Sequence, residues 1–318
     1  MKGDTIKPIL SILIPVYNGE GEVGRTIRSL SPLLDRRIQF LLSNNFSQDN
    51  TAAEVEETAK LHLPSLEIFE QTQNIGLKKN CEFLAEKAQG DLIWFVSAGE
   101  IVKNTSAKEI LDLLAQNPGV TNFVLRGSLN RSKKSRGIPS SCLVKEDRIP
   151  FSETIALNIF QRELMSNLPK MLTEPPNGDV WPHVEALLSV APRDGGTIFV
   201  DNPEMVGIAD NIEGWWFHGA DVWDIYLKKL QIISDFDMSF EGSRWSTQLA
   251  DHLRRNQFLL TNIEARKNSL KFGPKQAKDA VRAGISSRYV FLALAISSLP
   301  PSFLSAAIKI YRNFRAAA

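Results

Sequence analysis

The chain has little of three features that would each assign it to a class of protein. Its 318 residues include only two cysteines, Cys81 and Cys142, too few for a disulfide framework and without zinc-ligand spacing. Its 37 Lys and Arg residues nearly balance 36 Asp and Glu residues, for a formal net charge of +1, which argues against a nucleic-acid-binding protein. No apolar stretch reaches the ~20 residues that span a bilayer, because Pro300 interrupts the closest one, residues 289–299.

The composition is that of a globular protein, 43% hydrophobic and 23% charged, and the length allows one large or two small domains. The N-terminal apolar run leads into Pro15 without a small-residue cleavage pattern. We therefore interpret it as a first strand and not as a signal peptide. Two free cysteines suit a reducing compartment, which favours a cytoplasmic protein.

Short apolar runs alternate with helical periodicity over the first third of the chain. The predicted strands are residues 9–16, 37–42, 66–71 and 91–96, and the predicted helices are residues 20–34, 49–63 and 75–88. Ser47 or Asp49 is predicted to cap the second helix. This alternation predicts a doubly wound α/β unit.

The later segments are predicted to be a helix at 105–116, a strand at 121–126, a basic loop at 127–150, a helix at 153–166 and a strand at 198–202. From Gly219 onward the pattern is helical. We predict an α/β domain over residues 1–210 and a helical region over residues 211–318.

Three polar motifs fall at the ends of predicted strands, where open α/β sheets bind their ligands. They are residues 11–18 (SILIPVYN), 42–51 (LSNNFSQDNT) and 74–101 (NIGLKKNCEFLAEKAQGDLIWFVSAGEI). Together they resemble family 2 glycosyltransferases of the GT-A fold, especially the branch similar to abequosyltransferases. The resemblance implies a GT-A-like, Rossmann-like mixed sheet flanked by helices, followed by a helical C-terminal region.

The resemblance implies that Pro15, Tyr17 and Asn18 hold the base and ribose of a nucleotide sugar. Asn44 stands where the family carries an acid that accepts a hydrogen bond from the uracil N3–H. An Asn carboxamide has both a donor and an acceptor, so pairing with uracil and pairing with cytosine both stay open. The alternative is that Asn44 forms an Asx turn before the second helix.

The third motif resembles the family's N-x-G pattern at a helix start. There Asn74, Gly76 and Asn80 are implied donor-binding residues, because glycine allows close approach and helix N-terminal amides favour phosphate oxygens. Lys78 in the same turn either meets the diphosphate or lies in solvent.

The motif ends in Ser97, Ala98, Gly99 and Glu100, where the family has an acidic D-x-D cluster that holds a metal. Mg and Mn prefer oxygen ligands, and Glu100 is the only carboxylate left. Ser97 and Glu100 then belong to the donor site with a weakly held Mg or Mn, or the leaving group is stabilised without metal. The alternative is a plain turn, with Gly99 in an unusual backbone conformation and Glu100 facing solvent.

The acceptor side is implied by residues 178–185 (GDVWPHVE). The resemblance makes Asp179 the general base, with Trp181 stacked on a sugar ring and His183 donating a hydrogen bond to the acceptor. Glu185 and Glu174 are the alternative bases. Asp179 as a helix cap and Trp181 as a core residue remain open.

The function implied is that of an enzyme, a hexosyltransferase-like glycosyltransferase of polysaccharide biosynthesis. It would move a sugar from a nucleoside diphosphate donor, most simply a UDP-sugar, to a glycan or lipid-linked acceptor with inversion. The alternative is a non-catalytic relative that binds a nucleotide, a glycan or a partner enzyme. Residues 289–315 predict a basic amphipathic helix that either lies on the inner face of a membrane or packs in a homo-oligomer.

Overall fold

The computed structural model describes residues 6–103, 105–125, 137–138, 155–166, 197–200, 206–208, 223, 227, 230, 258–267, 269–301 and 303–304. The chain divides into two compact units, Met1–Ile212 and Glu213–Ala318. Each unit has buried apolar residues of its own, and the two are taken in turn.

A mixed sheet forms the centre of the first unit. The described strands of this unit are β1 (Leu10–Val16), β2 (Ile38–Asn44), β3 (Leu66–Glu70), β4 (Leu92–Phe95), β5 (Glu100–Val102), β6 (Asn122–Leu125), β7 (Gly137–Ile138), β8 (Asn158–Gln161), β9 (Thr197–Val200) and β10 (Val206–Ile208). Eight of them form one sheet in the order β3-β2-β1-β4-β8-β6-β9-β7. Strands β1 to β4 are parallel, and β8 is antiparallel to both β4 and β6. Strands β5 and β10 form a separate antiparallel pair.

Three helices connect the parallel strands β1 to β4: α1 (Val23–Leu30), α2 (Thr51–His62) and α3 (Gly76–Lys87). Helix α4 (Ala107–Gln116) lies between β5 and β6, the short α5 (Glu163–Ser166) follows β8, and 3₁₀ turns are at Ser31–Leu33 and Ile155–Leu157. Helix α1 packs on α2 and on β5, and α3 packs on β1 and β2. The prediction of a GT-A-like mixed sheet flanked by helices is confirmed.

The core explains why β1 is a nearly continuous apolar run. All seven residues of the strand are buried, as expected for a parallel strand covered on both faces. Ile12 and Ile14 pack into one apolar cluster with Val23 and Ile27 of α1. Burying each such side chain stabilises the fold by about 1.5–3 kcal/mol relative to its exposure.

The predicted helix at 153–166 is wrong. The segment contains a 3₁₀ turn, then strand β8, then α5. Strand β8 lies between β4 and β6, where Ile159 and Phe160 are fully buried. The segment satisfies its backbone by pairing on both sides, so sheet packing overrides its local helical spacing.

The second unit is helical where it is described, with α6 (Phe258–Lys267), α7 (Pro274–Arg282) and α8 (Ser287–Ser298). The Trp223 indole N–H donates to Asn262 Oδ1 at 2.9 Å, and its ring lies 5.9 Å from that of Phe272. The helix predicted from residue 289 is interrupted after Ser298, before Pro300. Among the residues described, no helix has the length and apolarity to cross a membrane.

Candidate functional site

The carboxyl ends of β1, β2 and β3 stand side by side at one edge of the sheet. In the strand register, Val16 is opposite Asn44, and Asn44 is opposite Glu70. Tyr17 follows Val16 directly and is 48% exposed. An aromatic side chain and two polar ones therefore share one edge, with Pro15 buried one residue before Val16.

Asn18 joins the turn after β1 to the loop after β2. Its φ is 48°, a left-handed conformation that Asn tolerates better than most residues. Its backbone N–H donates to Ser47 Oγ at 2.9 Å, and its Oδ1 accepts from the Gln48 N–H at 2.8 Å. The backbone N–H and the side-chain oxygen of Asn18 thus both bind the loop after β2 and hold the two loops together.

The N-terminus of α1 is occupied by the protein's own carboxylate. The N–H groups of Gly21 and Gly24 donate to the two Glu54 oxygens at 2.7 and 3.1 Å. A carboxylate there complements the positive end of the helix dipole. The amides of α1 are therefore used in holding α2, and ligand phosphates are better sought at α3.

Asn44 is engaged on both sides of its carboxamide and is 2% exposed. Its Nδ2 donates to Glu70 Oε2 at 2.8 Å. Its Oδ1 accepts from the Ser47 N–H at 3.3 Å and from the Ser47 hydroxyl at 2.5 Å. The Asx-turn interpretation therefore describes the side chain in this structure.

The predicted cap of α2 is corrected by the same contacts. The N-cap residue is Asn50, which makes no side-chain cap hydrogen bond. Ser47 is turned toward Asn18 and Asn44 and does not cap the helix. Asp49 accepts from the Glu20 N–H through Oδ2 and from the N–H of Thr51, the first residue of α2, through Oδ1, both at 3.1 Å. Asp49 therefore satisfies one N–H at the start of the helix from one position before the N-cap.

Asn45 and Asn74 fix the approach to α3. Asn45 donates to Asn74 Oδ1 and accepts from the Ile75 N–H, both at 2.9 Å. The Gly76 N–H donates to Asn74 Oδ1 at 2.9 Å, and Gly76 has a φ of 81° that disfavours a side chain. The third motif is thereby tied to the second.

Asn80 and Lys78 are both buried in the first turns of α3, at 1% and 6% exposure. Asn80 Nδ2 donates to the Ser43 carbonyl oxygen at 3.2 Å, and its Oδ1 has no hydrogen-bond partner within the described part of the chain. The interpretation of Lys78 as a solvated lysine is wrong, because α3 packs this turn against β1 and β2.

The turn at Ser97–Glu100 folds back on itself. Gly99 has a φ of 89° and its N–H donates to Thr26 Oγ1 at 3.0 Å. Glu100 Oε2 accepts from the Ser97 N–H at 2.7 Å. Loss of solvation raises the pKa of Glu100 to about 7, although the hydrogen bonds from Ser97 oppose the shift. The interpretation of Glu100 as facing solvent is wrong, since it begins β5 and is half-buried.

A protein-held divalent metal does not fit the described residues of this turn. Ala98 and Gly99 bring no oxygen ligand from a side chain, and the Glu100 carboxylate is hydrogen-bonded to its own turn. Within the described ranges, no three His, Cys, Asp or Glu side chains gather as a metal-binding group.

Gly19 brings the two halves of the site into contact. A Cβ atom there would lie 2.7 Å from Val16 Cγ2 and 3.2 Å from Ala98 Cβ. The turn after β1 and the turn that replaces the acidic cluster are therefore packed together, with no space for a side chain between them.

Three contributors were missed by sequence reasoning as site residues: Glu70, Thr26 and Phe46. Glu70 is the last residue of β3, as Asn44 is the last residue of β2. Parallel pairing of these two strands would have predicted that the two side chains are neighbours. Phe46 is 46% exposed with a φ of 62°, which is unusual for a bulky residue. Nothing local marks Thr26, which reaches the site from α1.

The predicted acceptor residues lie outside the described residues. They are Asp179, Trp181 and His183, with Glu174 and Glu185 as the alternative bases. Their roles stay predictions.

Comparisons with known proteins agree with this geometry. Residues 11–162 match the family model described as Glycosyl transferase family 2. Over 117 residues the chain is 29% identical to an uncharacterized glycosyltransferase of Haemophilus influenzae, covering 35% of this chain and 44% of that protein. Residues 11–162 are therefore similar to the glycosyltransferase family 2 domain, and the solved structures below share the fold of the chain.

Solved structures share the fold at low sequence identity. Staphylococcus aureus TarS has a TM-score of 0.59 at 16% identity, over 90% of this chain and 53% of TarS. Its fragment 1–349 in complex with UDP-GlcNAc has a TM-score of 0.58 at 16% identity, over 96% and 91% of the two chains. The mannosyltransferase PcManGT of Pyrobaculum calidifontis, in complex with GDP-Man and Mn²⁺, has 0.58 at 15%, over 96% and 87%. The chain thus spans about half the length of the Haemophilus protein and of TarS.

Proposed function

We propose that the protein transfers a sugar, most simply a hexose, from a nucleoside diphosphate donor to a glycan or lipid-linked acceptor. The carrying observation is the hydrogen-bonded frame that joins the turn after β1, the loop after β2 and the start of α3. Such a frame holds donor groups in fixed positions at the sheet edge where α/β proteins bind ligands. The solved structures of TarS with UDP-GlcNAc and of PcManGT with GDP-Man, which share the fold, support a nucleotide sugar as the proposed donor.

The donor roles follow from the placement of the residues. Tyr17 offers an exposed ring to a base, and Asn18 lies beside it for the ribose. The Ile75 and Gly76 N–H groups are used by Asn45 and Asn74, so we assign the diphosphate to the amides that follow them in the first turn of α3, at the positive end of the helix dipole. Ser97 lies two residues after the end of β4, and we assign it to the sugar. We take a UDP-sugar as the first donor to test.

The transfer is a single displacement in this proposal. The acceptor hydroxyl oxygen bonds to the anomeric carbon while the bond from that carbon to the diphosphate breaks, which inverts the configuration. Asp179 takes the hydroxyl proton, and the nucleoside diphosphate leaves with the electron pair. Trp181 and His183 hold the acceptor. Among the described residues, no group of carboxylates is placed to hold a metal ion, so no step of the proposed transfer depends on one.

Nucleotide release separates donor chemistry from the unknown acceptor. UDP-, GDP- and CDP-sugars should be incubated with the protein, and release of the diphosphate measured with and without a glycan or lipid-phosphate acceptor. We expect release from one donor class, above a no-protein control and dependent on acceptor. Absence of both binding and release for all donors would refute the proposal.

A non-catalytic relative is the second candidate, favoured by one observation. The only carboxylate of the former acidic cluster is hydrogen-bonded inside its own turn. Calorimetry with UDP, GDP and CDP, each with and without Mn²⁺, distinguishes the candidates. Binding of a nucleotide with no turnover of any matching sugar donor would favour the second.

The second unit carries an exposed surface that suits either an anionic membrane or a second copy of the chain. Exposed apolar residues on and around α8 include Phe291 at 72% and Phe303 at 69%. Among the described residues from 271 to 288, the exposed basic side chains are Lys271, Lys275, Lys278, Arg282 and Arg288. Phe291→Glu should weaken sedimentation with phosphatidylglycerol vesicles or lower the oligomeric mass, with Arg288→Gln as the charge-only comparison. No change in either property would refute this part.

A further inference from the structure

Glu70 has the contacts expected of a residue that selects the donor's base. It is exposed at the end of β3, where Asn44 Nδ2 donates to its Oε2 at 2.8 Å. Asn44 is itself buried and held by Ser47. One carboxylate oxygen is thus oriented by a rigid partner, and the other, Oε1, points to no hydrogen-bond donor within the described residues.

Asn44 cannot perform this selection in the conformation seen. Its Oδ1 already accepts two hydrogen bonds from Ser47, which fills the two lone pairs of an amide oxygen. At 2% exposure it also offers almost no surface. The acceptor that this part of the sheet edge presents to solvent is therefore the carboxylate of Glu70.

We propose that Glu70, through Oε1, accepts the ring N3–H of uracil and so selects a uridine nucleotide over a cytidine nucleotide. This inference rests on the proposed use of a nucleotide-sugar donor. An ionised carboxylate is acceptor-only, so it pairs with the ring N–H of uracil and is opposed by the ring nitrogen lone pair of cytosine.

The spacing suits one nucleoside. Val16, Asn44 and Glu70 lie in one row across three parallel strands, and strands are about 4.8 Å apart. The row from the turn after β1 to Glu70 is therefore about 10 Å long, enough for a base placed between Tyr17 and Glu70.

The surroundings of Glu70 also affect its protonation. Loss of solvation raises the pKa of Glu70, and the negative charge of Glu56 adds to this shift, whereas the hydrogen bond from Asn44 opposes it.

Binding of UDP and CDP to three variants tests the inference. Glu70→Gln keeps the size of the side chain and removes the charge, and Glu67→Gln makes the same change at another exposed glutamate of β3, three residues earlier. Charge-assisted hydrogen bonds predict a loss of UDP affinity of about tenfold to hundredfold for Glu70→Gln. CDP affinity should stay or rise, and Glu67→Gln should change UDP affinity less than about threefold.

The double variant Asn44→Asp/Glu70→Gln moves the carboxylate to β2 and keeps a hydrogen bond between the two side chains. We expect it to lose the UDP preference as Glu70→Gln does, because position 44 is buried and held by Ser47. Recovery of the preference would show that position 44, and not Glu70, meets the base. Thermal melting of each variant checks that the fold is intact. Equal UDP affinity of wild type and Glu70→Gln, with UDP bound, would overturn this inference alone. A wild type that binds neither nucleotide would overturn the donor proposal and this inference with it.

Discussion

The two halves of the candidate donor site differ in their polar side chains and in how those side chains are hydrogen-bonded. The base side, around Asn18, Asn44 and Glu70, is tied by a continuous set of side-chain hydrogen bonds. The turn Ser97–Glu100, here called the metal side because the family resemblance expects a metal there, holds one carboxylate, Glu100, which accepts a hydrogen bond from the Ser97 N–H of the same turn. A base needs shape and directed hydrogen bonds, whereas leaving-group charge can be stabilised by amides and cations as well as by a metal.

The largest effect is expected from a substitution at Asp179 that prevents proton transfer and leaves both halves of the donor site unchanged. Asp179→Asn keeps the size of the side chain but cannot accept the acceptor's proton. The rate of sugar transfer should fall by about 10²–10⁴-fold, with nucleotide affinity measured by calorimetry nearly unchanged. If transfer continues at the wild-type rate, Glu185→Gln and Glu174→Gln are the variants to measure next.

Forcing the two halves apart should cost stability. Gly19→Ala places a methyl group 2.7 Å from Val16 Cγ2, and such overpacking costs about 1–3 kcal/mol of unfolding free energy. Gly21→Ala is the matched control for backbone strain, because Gly21 has a φ of 80° and no atom near the added Cβ. Urea denaturation of the two variants separates crowding from strain, and equal losses would mean that the contact with Ala98 is loose.

The metal side should titrate near neutrality. Glu100 has a pKa of about 7 in the folded protein against an ordinary value of 4.5. Because the folded-state pKa is raised, its contribution to stability is complete below about pH 4.5 and is lost as the pH rises through about 7. Glu100→Gln should remove a pH-dependent change on the order of 2 kcal/mol. Parallel urea curves of variant and wild type between pH 5 and 8 would contradict the burial of this carboxyl.

The base side should hold strain at Phe46. Phe46→Gly and Phe46→Ala both remove the ring, but only Gly is at ease at a φ of 62°. The glycine variant should exceed the alanine variant in unfolding free energy by about 1 kcal/mol. Thermal melting of the pair measures the difference. A more stable alanine variant would show that the loop relaxes once the ring is gone.

The smallest expected effect is that of metal removal. With Ala98 and Gly99 in place of acids, transfer should change less than about threefold on addition of EDTA. Ala98→Asp restores one oxygen ligand and should increase the response to Mn²⁺. Abolition of wild-type activity by EDTA, with rescue by Mn²⁺, would mean that ligands beyond the described residues complete a metal site.

The fold was largely predictable because its signals are local. The run ending at Val16 is apolar except for Ser11, as expected for a strand that is buried on both faces. Its alternation with helical periodicity then predicts parallel pairing. Strand β8 could not be found this way, since only its neighbours β4 and β6 make Asn158–Gln161 a strand.

The candidate site was half predictable, for a related reason. Motif positions predicted six candidate residues, because residues that follow parallel strands come together at one edge of the sheet. They are Tyr17, Asn18, Asn44, Asn74, Gly76 and Asn80. Those positions did not say how Asn44 is used, since its partners Ser47 and Glu70 compete for the same carboxamide.

The sequence by itself determined the alternation of elements, the polar strand ends and the presence of a single carboxylate, that of Glu100, in residues 97–100. Tertiary structure alone decided that Glu70 stands beside Asn44, that Glu100 turns back to Ser97 and that the two turns pack together at Gly19. The physical reason is range. Periodicity and residue type act within one element, whereas strand register, desolvation and hydrogen-bond competition depend on groups that are distant in the chain and adjacent only in the folded protein.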